Sequence, residues 1–482
     1  MSIISISSTT SAIHQILNHC QVKKGKSKSR DATERLEGPI HVERCMRIVV
    51  VGAGASSLFV AYKLQKDFKN ISLTLYEKNP AVARSWYENC FEPRVDWSSI
   101  YPPSEEIYDY FNLFAQTYNL HQYDEYHIHI KDTANDMVIS DHCNNLINAG
   151  GALDHWCRPD IAGLDNYKGS LLHTTNWDET VELQGKHVGL IDMVSPAAAF
   201  EQRLFSEEEK SAFGNKSGAL LEYQKAVENG LKGSFGLFLK NHRIQQEAHA
   251  YIHGQMIEKS SDANLLSKLM PNEYPVDVLI CATGFDTHFR PRFLIVSHAG
   301  ETLQDKWATD PQPYLGVAAA GSPKYLTILG PSSPIGNGPV LYRVETQVDW
   351  ICRLIDQYQT TNMKMSAPKE EAVQDFAQYK DYSMSRTNRG DRCATALIWP
   401  GSTLHYVECM KNMRLHDFEI TYAGNRFTWL GNRYSQTEFD ETADWAYYIR
   451  DRDDSSPLST AGRRKLFTKC GTVKERTMVK YS

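Results

Sequence analysis

The stretch Arg47-Ile48-Val49-Val50-Val51-Gly52-Ala53-Gly54-Ala55-Ser56-Ser57-Leu58 decides the fold. Its β-branched run is of the kind buried in a parallel sheet, and it ends on a glycine, where a tight turn leaves the strand. Leu58, Ala61, Tyr62 and Leu64 then fall at helical spacing, and Leu73-Thr74-Leu75-Tyr76 reads as a second strand closing on Glu77. The three elements form a βαβ unit. Gly52 permits the turn, Gly54 lets the backbone approach a pyrophosphate, and the N-terminus of the helix that follows residues 52–57 offers amide donors and a favourable dipole to that anion. Ser57 stands where a third glycine normally allows close helix–strand packing, so its hydroxymethyl group is expected to weaken cofactor affinity. Glu77 ends the second strand, where a carboxylate accepts hydrogen bonds from ribose hydroxyls. Taken alone, G-x-G-x-x-S is also compatible with a simple turn.

Outward from this unit, Val188-Gly189-Leu190-Ile191 and Val276-Asp277-Val278-Leu279-Ile280 are further strand-like runs, spaced for a larger doubly wound α/β architecture. Between them, residues 206–268 read as charged helix and loop, with Glu207, Glu208, Glu209 and Lys210 forming a solvated face. Beyond Pro339, Val344, Val348, Ile351 and Ile355 predict a long amphipathic helix. From about Met384 the chain is rich in Tyr, Trp and turn residues and is expected to pack on the rest as helices, loops and short strands.

Composition narrows the function classes. A chain of 482 residues is long enough for two nucleotide-binding lobes, and 41% hydrophobic with 23% charged residues is ordinary for a globular protein. The net charge of −6, from 52 basic and 58 acidic side chains with the basic ones scattered, gives nucleic acid no electrostatic footing. Ten cysteines without a close C-x-x-C pair argue against a zinc site and a disulfide scaffold, so no metal is expected and a reducing, cytoplasmic compartment fits best. Neither a secretory signal nor a transmembrane segment is expected. The five basic residues in 23–30 read as a solvated extension, or as a weak peripheral contact with anionic membrane beside Ile13, Ile16 and Leu17.

Further motifs carry a resemblance. Ser85-Trp86-Tyr87-Glu88-Asn89 resembles the flavin-contacting T-W-Y-E-N of Baeyer–Villiger monooxygenases, and residues 167–178 resemble that family's F-x-G-x-x-x-H-T-x-x-W-[P/D] fingerprint through Gly169, His173, Thr174 and Trp177. The likeness continues through Leu146-Ile147-Asn148-Ala149-Gly150-Gly151, residues 281–287, residues 330–338 and Trp399-Pro400-Gly401-Ser402, covering most of the chain from Arg47 onward. The C-terminal pattern is most similar to the fungal branch that oxidises polyketide and steroid-like ketones, including the sterigmatocystin and aflatoxin pathway enzymes.

The resemblance implies a doubly wound FAD-binding Rossmann-like domain with a second, NADPH-type domain. Residues 1–45 would be a flexible extension, 46–180 and 276–482 the two parts of the FAD-binding domain, and 181–275 a reduced NADPH-type, helical region. FAD would be held by Gly52, Gly54, Ser56, Ser57, Glu77, Ser85, Trp86, Asp96 and Tyr101. NADPH would reduce it, and the reduced flavin with O2 would insert one oxygen next to a ketone carbonyl to give an ester or lactone. His173 is then a hinge contact between domains rather than a proton-transfer group, against the bland alternative that His173 bridges loops and Trp177 is core. Cys281 is read as buried packing. The narrow expectation for the small-molecule substrate is an aromatic polyketide ketone such as hydroxyversicolorone.

The resemblance also breaks. No second glycine fingerprint follows the strand at Val188, since Asp192-Met193-Val194-Ser195-Pro196 stands there, so the nicotinamide lobe is expected to be shortened. The segment that bears the family's catalytic arginine has no counterpart before Val276, and no catalytic residue is assigned. Asp96, in Val95-Asp96-Trp97-Ser98, matches either an Asp-Trp-Ser further along the family sequence or the active-site aspartate, and Tyr101 inherits both alternatives. The alternative function is a catalytically impaired FAD-binding protein or scaffold without a working NADPH site.

Overall fold

The computed structural model describes residues 5–8, 38–77, 129–132, 138–139, 143–151, 158–159, 161, 163–174, 177–178, 180–192, 204–216, 218–233, 242–247, 276–283, 285, 289–296, 301–333, 340–384, 399–439 and 445–446. The chain divides into two compact units. The first holds Met1–His19, Arg47–Cys352 and Ala367–Glu419, and the second holds Cys20–Met46, Arg353–Ser366 and Ile420–Ser482.

In the first unit, β1 (Ser5–Ser8) runs ahead of the expected unit β2 (Met46–Val51), α1 (Ala55–Asp67) and β3 (Ile71–Tyr76). After β4 (His129–Asp132) and β5 (Val138–Ile139) come β6 (Asn145–Asn148), β7 (Ser170–His173) and β8 (Val188–Asp192). Helices α2 (Glu207–Asn215) and α3 (Ala219–Gly233) separate these from β9 (Val278–Ala282) and β10 (Tyr325–Thr327), and α4 (Val340–Thr360) and α5 (Thr403–Met410) follow. The strands assort as β10-β6-β2-β3, β7-β9-β8 and β1-β4-β5. The fold is α/β with a Rossmann-like nucleotide-binding unit, as the βαβ pattern predicts.

β2 is central in its sheet, parallel to β6 in the register Val49 with Leu146 and Val51 with Asn148. Both of its faces are covered, which is why Ile48, Val49 and Val50 are all fully buried and why the strand reads as an unbroken β-branched run. On one face Val49, Leu146 and Tyr325 pack with Phe293, Ile295, Leu303, Trp307 and Ala319. α1 buries Leu58, Phe59, Val60, Ala61 and Leu64, a wider stripe than its four apolar periodic residues suggest, because Phe59 and Val60 are covered as well. Val344, Val348, Ile351 and Ile355 of α4 are buried, as their spacing predicts, and Lys63 of α1 pairs with Asp349 of α4 at 2.9 Å.

The strand expected at Val276 begins two residues later, because Asp277 does other work. Its Oδ2 accepts from the His187 amide at 2.9 Å, and its own amide donates to the His187 carbonyl at 2.8 Å, which closes the start of β8 onto β9. The charged run at residue 206 is more than a solvated face. Ser206 Oγ accepts from the Glu209 amide at 3.2 Å while Glu209 Oε2 accepts from the Ser206 amide at 3.0 Å, a reciprocal cap that starts α2. Glu207 stays solvated and pairs with Lys210. Phe205, Phe213 and Tyr223 lie with ring centroids 5.3–5.5 Å apart and hold α2 to α3.

The extension expected over residues 1–45 is in part structured. Ser5–Ser8 pairs in parallel with His129–Asp132. In the second unit Ile40 and His41 donate their amides to the carbonyls of Tyr434 and Trp429 at 2.8 and 2.9 Å, and the His41 and Trp429 rings stack. These partners lie nearly four hundred residues away in sequence, out of reach of local composition.

A half-buried acid–phenol pair makes the first unit sensitive to acid. Tyr314 donates to Asp417 Oδ2 at 2.6 Å, and Arg414 Nε donates to the same oxygen at 2.8 Å. Burial pushes the Asp417 carboxyl up, but the bonds from Arg414 and Tyr314 outweigh it and hold the carboxyl below the usual carboxylate range. A depressed folded pKa means stabilisation that is complete above the unfolded value of about 3.9 and lost as pH falls through the folded one. Asp417→Asn is therefore expected to melt lower than wild type at pH 7 and to show a flatter loss of stability below about pH 4. Parallel acid limbs for the two proteins in thermal melts would contradict this.

Candidate functional site

β2 leads to β3 on one side, while β6 and β10 lie on the other, so the order in which strands are added reverses between β2 and β6. In an open α/β sheet the crevice outside the carboxyl ends of two such strands is where ligands bind. Three loops gather there: residues 52–57 after β2, residues 149–151 after β6, and residues 328–333 after β10, with the Ile328 amide bonded to the Asn148 carbonyl at 2.9 Å.

The two expected glycines of the first loop differ in why they are glycine. Gly52 has φ +99°, and a Cβ there would lie 2.7 Å from the Ala149 carbonyl oxygen and 3.2 Å from Gly150 Cα. The fold itself demands glycine at this position. Gly54 has φ −78°, open to any residue, and among the described residues nothing lies within 4 Å of a Cβ built on it. No described part of the protein needs Gly54. Gly54 is also the N-cap of α1, with no side-chain cap and no acidic residue in the first turn.

Ser57 does not loosen the unit as its substitution for glycine suggests. It is fully buried, and its Oγ donates to the Gly52 carbonyl at 2.6 Å. The hydroxyl thus ties the first turn of α1 to the loop it follows. Glu77 also serves the loop, since its Oε2 accepts from the Ala53 amide at 2.7 Å. Its carboxylate therefore braces the glycine turn from the end of β3, a role that the spacing to a ribose does not reveal. Asn148 was not singled out from the sequence. Its Oδ1 accepts from the Gly150 amide at 3.1 Å and its Nδ2 donates to the Tyr325 hydroxyl at 3.0 Å, shaping the second loop, and the signal was an amide residue just before two glycines.

The remaining expected residues are dispersed. Ser85, Trp86, Asp96 and Tyr101 lie outside the described residues. Gly169, His173 and Thr174 belong to the second sheet. A Cβ at Gly169 would collide with the Tyr167 hydroxyl and the Asp277 carbonyl, so this glycine lets β7 approach β9. His173, 3% exposed, ends β7 in register with Cys281, and the Thr174 amide donates to the Cys281 carbonyl at 3.0 Å. Trp177 is 46% exposed and is not core. Cys281 is buried, and burial pushes its thiol up, as packing rather than nucleophilic use requires. Among the described residues no group of three His, Cys, Asp or Glu side chains is arranged to hold a metal, and no helix is long and apolar enough to cross a membrane.

The contrast between the two glycines is measurable. Gly52→Ala is expected to lower stability by about 2–3 kcal/mol through a strained φ and the clash with Ala149. Gly54→Ala is expected to leave stability unchanged or raise it by up to about 1 kcal/mol. Equal melting temperatures for the two variants would refute the assignment of Gly52 to the fold and Gly54 to a ligand.

Comparison with known proteins agrees with this geometry. Residues 50–112 match the family model described as an NAD(P)-binding Rossmann-like domain. The chain is 26% identical to the FAD-binding monooxygenase stcW of Emericella nidulans, over 79% of this chain and 84% of that protein. It is also 26% identical to the FAD-binding monooxygenase tazF of Aspergillus terreus, over 84% of this chain and 94% of that protein. Among solved structures, cyclohexanone monooxygenase from Rhodococcus sp. Phi1 bound to NADP+ superposes with a TM-score of 0.63 at 19% identity, over 79% of this chain and 100% of that one. The chain thus shares the α/β fold of these monooxygenases, and the two fungal proteins it is similar to along most of its length are FAD-binding monooxygenases.

Proposed function

We propose that this chain is an FAD-dependent monooxygenase of the Baeyer–Villiger type, acting on a bulky ketone with O2 and NADPH. The observation that carries the reading is Gly54, a glycine no described residue requires, at an uncapped helix N-terminus in the switch-point crevice. This cradle fits a dinucleotide pyrophosphate.

In this reading the amides of residues 54–56 hold the pyrophosphate, Gly52 and Ser57 fix the loop that presents them, and Glu77 serves the adenosine ribose while bracing Ala53. Ser85, Trp86, Asp96 and Tyr101 contact the flavin end by their motif. The bound flavin supplies the redox chemistry: with NADPH and a proton, one atom of O2 enters the ketone to form an ester or lactone and the other leaves as water. The chain's own work is to bind and orient the cofactor and to keep water from the reacting carbonyl. The residues after Val188–Asp192 carry no glycine loop in the sequence, so no residue of this chain is assigned to NADPH. The substrate class rests on the motif resemblance, and an aromatic polyketide ketone such as hydroxyversicolorone is the narrow proposal, with the protein working in the cytoplasm and its basic residues 23–30 giving at most weak membrane contact.

A second reading is favoured by that missing loop: a flavin-binding protein without a working NADPH site. The two separate in one assay. Purified protein is expected to be yellow, to have its flavin reduced by micromolar NADPH, and to convert a bulky ketone to a product heavier by one oxygen. A yellow protein whose flavin NADPH leaves oxidised would establish the second reading, and a hydroxylated or N-oxidised product would move the chain to a neighbouring flavoprotein class. Gly54→Val is expected to purify without FAD while melting as FAD-free wild type does.

A further inference from the structure

The third loop of the crevice is held from behind by a buried polar cluster that neither the glycine motif nor the proposed chemistry uses. Gln347 of α4 is fully buried. Its Oε1 accepts from the Leu329 amide at 2.8 Å, and its Nε2 donates to Ser333 Oγ at 3.0 Å and to the Tyr406 hydroxyl at 2.8 Å. Tyr406 of α5, also fully buried, passes its proton on to the Leu315 carbonyl at 3.0 Å. One amide and one phenol therefore fix both ends of residues 329–333 and the neighbouring turn at Leu315.

A second observation says what they hold. Leu315, Leu329 and Ser332 have φ of +49°, +54° and +60°, the left-handed region that bulky L-residues avoid. Each is strained and persists only where surrounding bonds over-determine it. Leu329 is bonded to Gln347 directly, Leu315 is bonded to Tyr406, and Ser332 precedes the Ser333 that Gln347 holds. Space is closed as well: a Cβ at Gly316 would lie 2.6 Å from Ser333 Oγ and 3.4 Å from Gln347 Nε2. The strained loop begins at Ile328, whose amide is bonded to the carbonyl of Asn148, so it stands beside the second glycine loop at the mouth of the crevice.

We infer that Gln347, seconded by Tyr406, is a positioning residue for the cofactor: it holds residues 329–333 in a high-energy backbone shape that forms one wall of the flavin site. The inference rests on the proposed FAD site. Sequence pattern alone would assign Gln347 to the polar side of an amphipathic helix, yet it is among the most buried residues of α4.

The test uses the full-length protein and FAD itself, with affinity read by flavin fluorescence and the flavin environment read by its visible absorption envelope. Val348→Ala serves as a control, since Val348 is the next residue of the same helix and equally buried but bonds nothing in the loop. Gln347→Leu keeps a side chain of similar size and removes all three bonds. It is expected to weaken FAD binding on the order of tenfold or more, corresponding to about 1.4 kcal/mol, and to shift the absorption envelope, while Val348→Ala lowers the melting temperature without either change. Gln347→Glu supplies the acceptor for Leu329 at any pH, but only its protonated form donates to Ser333 or Tyr406. Relative to wild type it should bind FAD well at low pH and lose affinity as pH rises through its burial-raised pKa. Tyr406→Phe should weaken binding in the same direction but less. If Gln347→Leu binds FAD as the control does, with an unshifted envelope, the inference is wrong. If wild type binds no FAD, the proposed function fails before this test begins.

Discussion

The carbonyl of Ala149 stands where a side chain of residue 52 would have to go. This backbone-on-backbone contact brings the ends of β2 and β6 close enough to form a crevice with two glycine loops as its sides. The rest of the first unit serves it. The buried valines of β2 fix the height at which the loop leaves the sheet, Ser57 and Glu77 tie the loop to the helix and strand on either side, and Asn148 folds the opposing loop against Tyr325. Each tie is a hydrogen bond worth about 1 kcal/mol net. Their joint effect is to hold helix-end amides ready for an anion before any anion arrives, and preorganisation of this kind is what limits the entropic cost of binding.

Much of this was legible in the sequence. The β2–α1–β3 unit, the strands at Val188 and Val276, and the long helix at Val344 follow from residue type and period, and in β2, α1 and α4 the spacing marks the stripe that is buried. What stayed hidden are interactions whose partners lie far along the chain. Ser57 reads as a defect in a glycine motif until the Gly52 carbonyl is seen 2.6 Å from its hydroxyl. Glu77 reads as a ribose ligand by distance from the motif, and the amide of Ala53 that it also holds cannot be counted from spacing. Gln347, Tyr406 and Ser333 come from three separate segments, and nothing local marks any of them. Trp177, set between a core and a fingerprint reading, is exposed.

The second sheet has a different character. β7, β9 and β8 are parallel and in register, and among the described residues the edge strand exposes Val188 and Leu190 by 42% and 62%. The residues that follow are α2 and α3, a hairpin joined by its own three aromatic rings and started by its own capping box. The strained backbone at Leu315, Leu329 and Ser332 lies instead beside the crevice of the first sheet.

The central claim is that the crevice between β2 and β6 holds FAD on the amides of the α1 N-terminus. The most direct measurement is an experimental structure of the protein with FAD. The account predicts pyrophosphate oxygens within hydrogen-bonding distance, about 2.7–3.2 Å, of the backbone amides of residues 54–56, with the flavin end passing residues 329–333. A pyrophosphate bound elsewhere, or a crevice left empty at saturating FAD, would contradict it.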